Sequence, residues 1–144
     1  YIPPEYIVNE VQKLDIYKRI AGIENERECD DMREELLDRF GRIPKSVGNL
    51  LRIALIRSHA HRLYMPEVKG KNERISFTLR PEAPIRVENI PLLISDYGGR
   101  LRFDPKGDPT FYLHYRKCGV IEKDEETLLM LTGEALAKME EMLI

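Results

Sequence analysis

The stretch Glu35-Leu36-Leu37-Asp38-Arg39-Phe40-Gly41, followed by Pro44, decides how the first half of this 144-residue chain folds. Its spacing predicts an amphipathic helix. Asp31, Glu35 and Asp38 stand at i, i+4 and i+7 and share one face, while Met32, Leu36 and Phe40 fall on roughly the opposite one. Gly41 is placed where helices commonly end in a residue of positive φ, and Pro44 suits the first turn of a following helix. A carboxylate stripe is therefore expected on a firmly ended helix, turned away from the core. Like charges so arranged repel, and a partner bearing arginines would relieve that repulsion through charge-assisted bonds. Interface carboxylates of this kind set specificity and register more than bulk affinity. The plain alternative is a solvated face that serves solubility.

Working outward, Asn9 can cap a helix running to about Glu24, with Val11, Leu14, Tyr17, Ile20 and Ala21 at helical spacing. The acidic helix spans roughly 26–40. A third runs from near Pro44 to about Tyr64, with Val47, Leu50, Leu51, Ala54, Leu55 and Leu63 on its apolar side, and Pro66 ends it. Residues 1–7, with Pro3-Pro4, read as an extended lead-in whose aromatic and isoleucine side chains are free to lie on a neighbour. Residues 8–65 are thus helical, and 66–144 mix strand and helix. Ile75, Phe77 and Leu79 alternate with Ser76 and Thr78, as a half-buried strand does. Residues 101–103 and 111–115 alternate likewise across the turn-rich Asp104-Pro105-Lys106-Gly107-Asp108-Pro109, which predicts an antiparallel hairpin. A short helix is expected over 89–97, closed by Gly98-Gly99. The last helix runs from an Asp124 cap to the terminus, with Leu128, Leu131, Ala135, Met139 and Met142 as its apolar stripe. The expected fold is α+β: three helices, then a small antiparallel sheet with a short helix and a C-terminal helix, in one domain over 1–144.

Composition sets bounds on function. Hydrophobic residues make up 42% and charged residues 33%, which excludes a disordered tail, and no apolar run reaches membrane-spanning length. A chain that opens on Tyr1 rather than Met is expected to be a piece of something longer. Cys29 and Cys118 form no C-x-x-C pair and read as reduced thiols of a cytoplasmic protein. The net charge of −2 is unevenly spread: residues 24–38 hold eight acids against two bases, and residues 39–64 hold six bases and no acid. Such blocks are the mark of solvated or mutually complementary helix faces.

No catalytic signature emerges. His59 and His61 lie two apart on a helix and cannot share a ligand, and His114 with Cys118 lacks a third metal partner. There is no G-x-x-x-x-G-K-[ST] loop and no G-x-S-x-G setting for a serine. Exposed carboxylates on the acidic helix lack the desolvation that general acid–base work needs. Arg100, Arg102, Lys106, Arg116 and Lys117, with Phe111 and Tyr112 interleaved, form a second candidate set, able to contact a phosphate backbone weakly near the hairpin.

Three segments together carry a family resemblance: Tyr1-Ile2-Pro3-Pro4-Glu5-Tyr6-Ile7, Ile16-Tyr17-Lys18-Arg19-Ile20-Ala21, and the opening stretch with Pro44. In order and spacing they resemble the C-terminal domain of the bacterial transcription-repair coupling factor family. The likeness is specific over residues 1–65; beyond 66 only length and element order are compatible. It implies a cytoplasmic, ATP-driven DNA translocase whose motors, with their ATP and magnesium, lie upstream, so this domain would hold no cofactor and do no catalysis. Such a parent pushes stalled RNA polymerase off damaged DNA and recruits the excinuclease A protein. The resemblance further implies a regulatory domain that packs on an N-terminal module resembling excinuclease B and masks the surface that excinuclease A would bind. On that basis Glu35 and Asp38 would face arginines of the N-terminal module, with Asp31 and Arg39 as lesser contacts. A DNA or RNA polymerase contact through the basic hairpin is the alternative.

Overall fold

The computed structural model describes residues 1–120 and 124–144, and it is an α+β fold. Three helices come first: α1 (Glu10–Ala21), α2 (Glu26–Phe40) and α3 (Lys45–Arg62). Strands β1 (Glu67–Lys71) and β2 (Arg74–Thr78) follow, then α4 (Ile90–Tyr97), β3 (Leu101–Asp104), β4 (Thr110–His114) and α5 (Glu125–Leu143). The chain divides into two compact units, Tyr1–Ser58 and His59–Ile144. The division falls inside α3, a few residues before the change of period at residue 66 that the sequence suggests.

In the first unit an asparagine side chain sets the start of α1 and of α2. The Asn9 carboxamide oxygen accepts from the Val11 and Gln12 amides at 2.9 and 3.0 Å, and that of Asn25 accepts from Glu28 at 2.9 Å. The core gathers Ile2 and Ile7 with Ile16, Ile20 and Ile23, then Cys29, Met32 and Leu36, then Val47, Leu51 and Ala54. Here the structure corrects the reading of α1. Val11 and Leu14 are largely exposed, whereas Ile16 and Ile20 are buried. A run at i, i+3, i+6 drifts about 60° per step around the helix, so it cannot hold one face for long. The Ile16–Ile20 edge, one full turn apart and β-branched, meets the isoleucines of the lead-in instead. That lead-in is not simply extended: it turns at Pro4–Tyr6, with the Tyr6 amide donating to the Pro3 carbonyl at 3.0 Å. Gly41 ends α2 at φ +86°, ψ −157°, a region open to glycine and closed to other residues.

The second unit is built on an antiparallel sheet of order β1-β2-β4-β3. Its apolar face carries Ile75, Phe77, Leu101, Phe111 and Leu113, all buried. Asn89 donates its carboxamide to the Met142 carbonyl at 2.6 Å, and the Arg86 amide donates to that of Leu143 at 2.6 Å, which fixes the end of α5. The buried edge of α5 is Thr132, Ala135, Leu136, Met139 and Leu143. Ala135 and Met139 lie where the sequence places them, while Leu128, Leu131 and Met142 sit on the flank, only partly buried. The β1–β2 turn is a two-residue one in which Asn72 (φ +52°) and Glu73 (φ +64°) both adopt positive φ.

Leu36 is fully buried and its neighbour Leu37 is 51% exposed. Leu36→Ala is therefore expected to destabilise the first unit by about 3 kcal/mol. Leu37→Ala should stay within about 0.5 kcal/mol of the unaltered protein. Paired chemical denaturation curves check both.

Candidate functional site on the acidic helix

Around α2 each residue advances by about 100°, so taking Leu36 as the buried pole puts Glu35 on the flank and Asp38 near the opposite pole, with Glu34 and Asp31. The structure follows that division. Asp31, Glu34 and Asp38 are exposed, whereas Glu35 lies within reach of α1. Arg19 grips Glu35 through its two terminal guanidinium nitrogens, at 2.5 and 2.6 Å, in the fork-on-carboxylate geometry that makes such pairs specific. Arg39, one turn along α2, adds a third bond to Glu35 at 2.8 Å and lays its guanidinium 4.9 Å from the Phe40 ring centre. The sequence reading groups Asp31, Glu35, Asp38 and Arg39 as one outward contact. The structure gives Glu35 and Arg39 to each other and to Arg19, and leaves Asp31 and Asp38 on the surface.

Tyrosines of the same unit complete the arrangement. The Tyr6 hydroxyl donates to the Gly41 carbonyl at 3.0 Å and lies 3.3 Å from that of Leu36, and its ring packs 5.8 Å from Phe40. The Tyr17 hydroxyl accepts from the Ile2 amide at 2.6 Å. The lead-in, α1 and the end of α2 are thus tied by polar bonds around a buried leucine. Arg19 and Tyr6 have no role in a reading based on spacing alone, and Tyr17 enters it only as part of the apolar stripe of α1, because their partners lie 15 to 35 residues away. The available signal was positional: Tyr17 and Arg19 border the Ile16–Ile20 edge on its two sides, where long polar side chains reach across to a neighbour.

The hydrogen bonds from Arg19, then Arg39, hold the Glu35 carboxyl at about 2, well below the usual value of 4.5. Arg19 and Arg39 keep 40% and 39% of their side chains exposed, so water screens the cluster. Its net stabilisation is about 1 kcal/mol rather than the several that a dry pair would give.

The basic set does not gather. Arg102 lies on the solvent face of the sheet. Arg100 folds back on α4, donating to the Tyr97 carbonyl at 2.6 Å. Lys106 sits in the β3–β4 turn, Arg116 pairs with Glu73 at 3.2 Å, and Lys117 is exposed in the 3₁₀ turn over 115–118. In the second unit, buried His59 lies 3.2 Å from Glu140, which Arg62 also holds at 2.6 Å. Burial would raise the Glu140 pKa, but the bonds from Arg62 and His59 outweigh it and lower it. Both cysteines are free thiols. Among the described residues no cluster of three metal-ligating side chains exists, and no helix is long and apolar enough to cross a membrane.

This architecture defines an α+β domain in which a helical unit, closed at one glutamate, precedes a sheet-based unit. The family described as the TRCF domain matches residues 1–90, and the chain belongs to that family. A transcription-repair-coupling factor of Borreliella burgdorferi is 30% identical over 126 residues, covering 88% of this chain and 11% of the relative. One from Staphylococcus epidermidis is 39% identical over 83 residues, 58% of this chain and 7% of the relative. The chain thus spans about a tenth of these relatives or less. A crystal structure of the C-terminal domain of a transcription-repair coupling factor superposes with a TM-score of 0.76 at 28% identity, over 98% of this chain and 88% of that one. The structural likeness therefore extends through the second unit, past residue 90 where the family model ends.

Because the folded pKa of Glu35 lies below its unfolded value, its stabilisation is present in full above about pH 4.5 and is lost as pH falls toward 2. The stability difference between the unaltered protein and Glu35→Gln should fall from about 1 kcal/mol at pH 7 to near zero at pH 2. Urea denaturation at both pH values measures it, and a difference that ignores pH would contradict the assignment.

Proposed function

We propose that this chain is a regulatory C-terminal domain of an ATP-driven DNA translocase acting in transcription-coupled nucleotide excision repair. In this reading it packs on the N-terminal, excinuclease-B-like module of the same polypeptide and covers the surface that excinuclease A would bind. Catalysis, with ATP and magnesium, belongs to motor domains upstream. RNA polymerase and DNA are partners of the parent rather than of this domain, and the parent works in the cytoplasm.

The observation that carries the reading is the division of labour on α2. Glu35 is neutralised inside the unit by Arg19 and Arg39, while Asp38 projects to solvent one turn beyond Glu34 and next to exposed Leu37. An apolar side chain beside unpaired carboxylates on a rigid helix suits a surface that offers arginines around an apolar contact. Asp38, with Asp31 behind it, is therefore the outward contact. Glu35 holds α2 at the angle that presents them, and can join the contact only by exchanging Arg19 or Arg39 for a partner's arginine.

In the full-length parent, Asp38→Arg should raise the affinity for excinuclease A by about tenfold, because the covering domain is repelled. Glu35→Arg/Asp38→Arg should raise it at least as much. Binding measured by calorimetry, with circular dichroism to confirm folding, tests this. Unchanged affinity in folded variants would move the contact off α2.

A further inference from the structure

We propose that the solvent face of the four-stranded sheet binds single-stranded nucleic acid, with Tyr112 as a stacking platform and Lys69, Lys71, Arg74 and Arg102 as phosphate contacts. This does not rest on the regulatory reading, since every residue involved lies in the second unit.

Register places these side chains together. Lys69 is opposite Ser76, Ser76 opposite Tyr112, and Tyr112 opposite Arg102, so one row crosses all four strands. The next row is Lys71, Arg74 and His114. At about 4.8 Å per strand, Lys69 and Arg102 stand about 14 Å apart, a span of two or three nucleotides. Side chains alternate across a strand, so this face is the one opposite buried Ile75, Phe77, Phe111 and Leu113. The guanidinium of Arg74 sits over the Tyr112 ring, 4.7 Å from its centre, so the two form one cationic–aromatic stack at the middle of the face. Bases stack on both kinds of plane without regard to sequence.

The charge balance favours an anion. Among the described residues Lys71, Arg74 and Arg102 have no carboxylate partner. Lys69 is paired only with exposed Glu67, at 3.3 Å between two half-exposed side chains. The acids Glu67 and Asp104 close the row Glu67–Thr78–Thr110–Asp104 at one end of the sheet, and Glu73, in the turn at the other end, pairs with Arg116 at 3.2 Å and lies 4.0 Å from His114. Phosphates are thus drawn to Lys71, Arg74 and Arg102 and repelled from the Glu67–Asp104 end. A groove over β1, β2 and β4 on this face is lined by Lys69, Lys71, Arg74, Ser76 and Tyr112 and reaches Glu67 at the acidic end. The surface differs from the hairpin set that the sequence suggests: Arg102 and Tyr112 are common to both, and β1 and β2 supply the rest.

Fluorescence anisotropy of the 144-residue chain with labelled 12-mers of thymidylate and of uridylate, a 12-base-pair duplex and a polyglutamate peptide tests the proposal. Micromolar binding of a single strand is expected, weakening with salt at a log–log slope of about −3 for four phosphate contacts. Tyr112→Leu should weaken it about tenfold and Lys71→Glu/Arg102→Glu at least as much, with the circular dichroism spectrum unchanged. Arg100→Ala and Lys106→Ala, off this face, should leave it within twofold. Preference between the two 12-mers tells whether the source is DNA or RNA, and either supports the proposal. Binding of the duplex or polyglutamate as tight as the single strands, no binding at all, or indifference to Tyr112→Leu would overturn it.

Discussion

The first unit depends on one turn of α2. Leu36 must be buried, and burial of a fully enclosed leucine is worth several times the ion cluster beside it. Once Leu36 is inward, the 100° step of the helix leaves Glu35 on the flank, where Arg19 arrives from α1, and sends Asp38 to solvent. The same turn offers its carbonyls to Tyr6, so the lead-in is located by the residue that fills the core. The hydrophobic term fixes where α2 sits, and the polar bonds then settle how it is rotated and what approaches it.

That ordering explains how the three segments that carry the family resemblance come to share one place. They are distant in sequence, yet Tyr17 reaches Ile2, Arg19 reaches Glu35, and Tyr6 reaches Gly41. A motif of this sort is the record of a junction. Its glutamate is spent within the fold, which leaves the aspartates of the same stripe for whatever lies outside. Bidentate geometry gives the junction its specificity, while exposure of both arginines keeps its energy modest and sensitive to salt.

Much of the fold was legible where local and tertiary demands agree. α2, ended by Gly41, has its apolar edge at Met32, Leu36 and Phe40, and the 101–115 hairpin follows from its turn residues. Legibility failed where a choice was made by distant partners. Val11 and Leu14 have the spacing of a buried face, but the core keeps Ile20 of that stripe and adds Ile16, because Ile2 and Ile7 complete a core against them. Strand β1, Glu67-Val68-Lys69-Gly70-Lys71, has neither apolar alternation nor β-branched bulk beyond Val68 and exists because β2 pairs with it. Its turn uses Asn72-Glu73 at positive φ where Asn-Gly would have announced a hairpin. The candidate site was half legible: periodicity finds the acidic stripe, but only a third dimension shows that Arg19 removes Glu35 from it.

The proposed packing requires the outer pole of α2, around Asp38, to be covered in the parent and open in this chain alone. Glu34→Cys puts a thiol on that pole without touching Asp38 or the Glu35 cluster, and its alkylation rate reads exposure directly. In the full-length parent the rate at position 34, measured above the background of the native cysteines, should be at least tenfold slower than in the 144-residue chain. It should recover when the N-terminal module is removed. Equal rates in the parent, the truncated parent and the isolated chain would contradict the account.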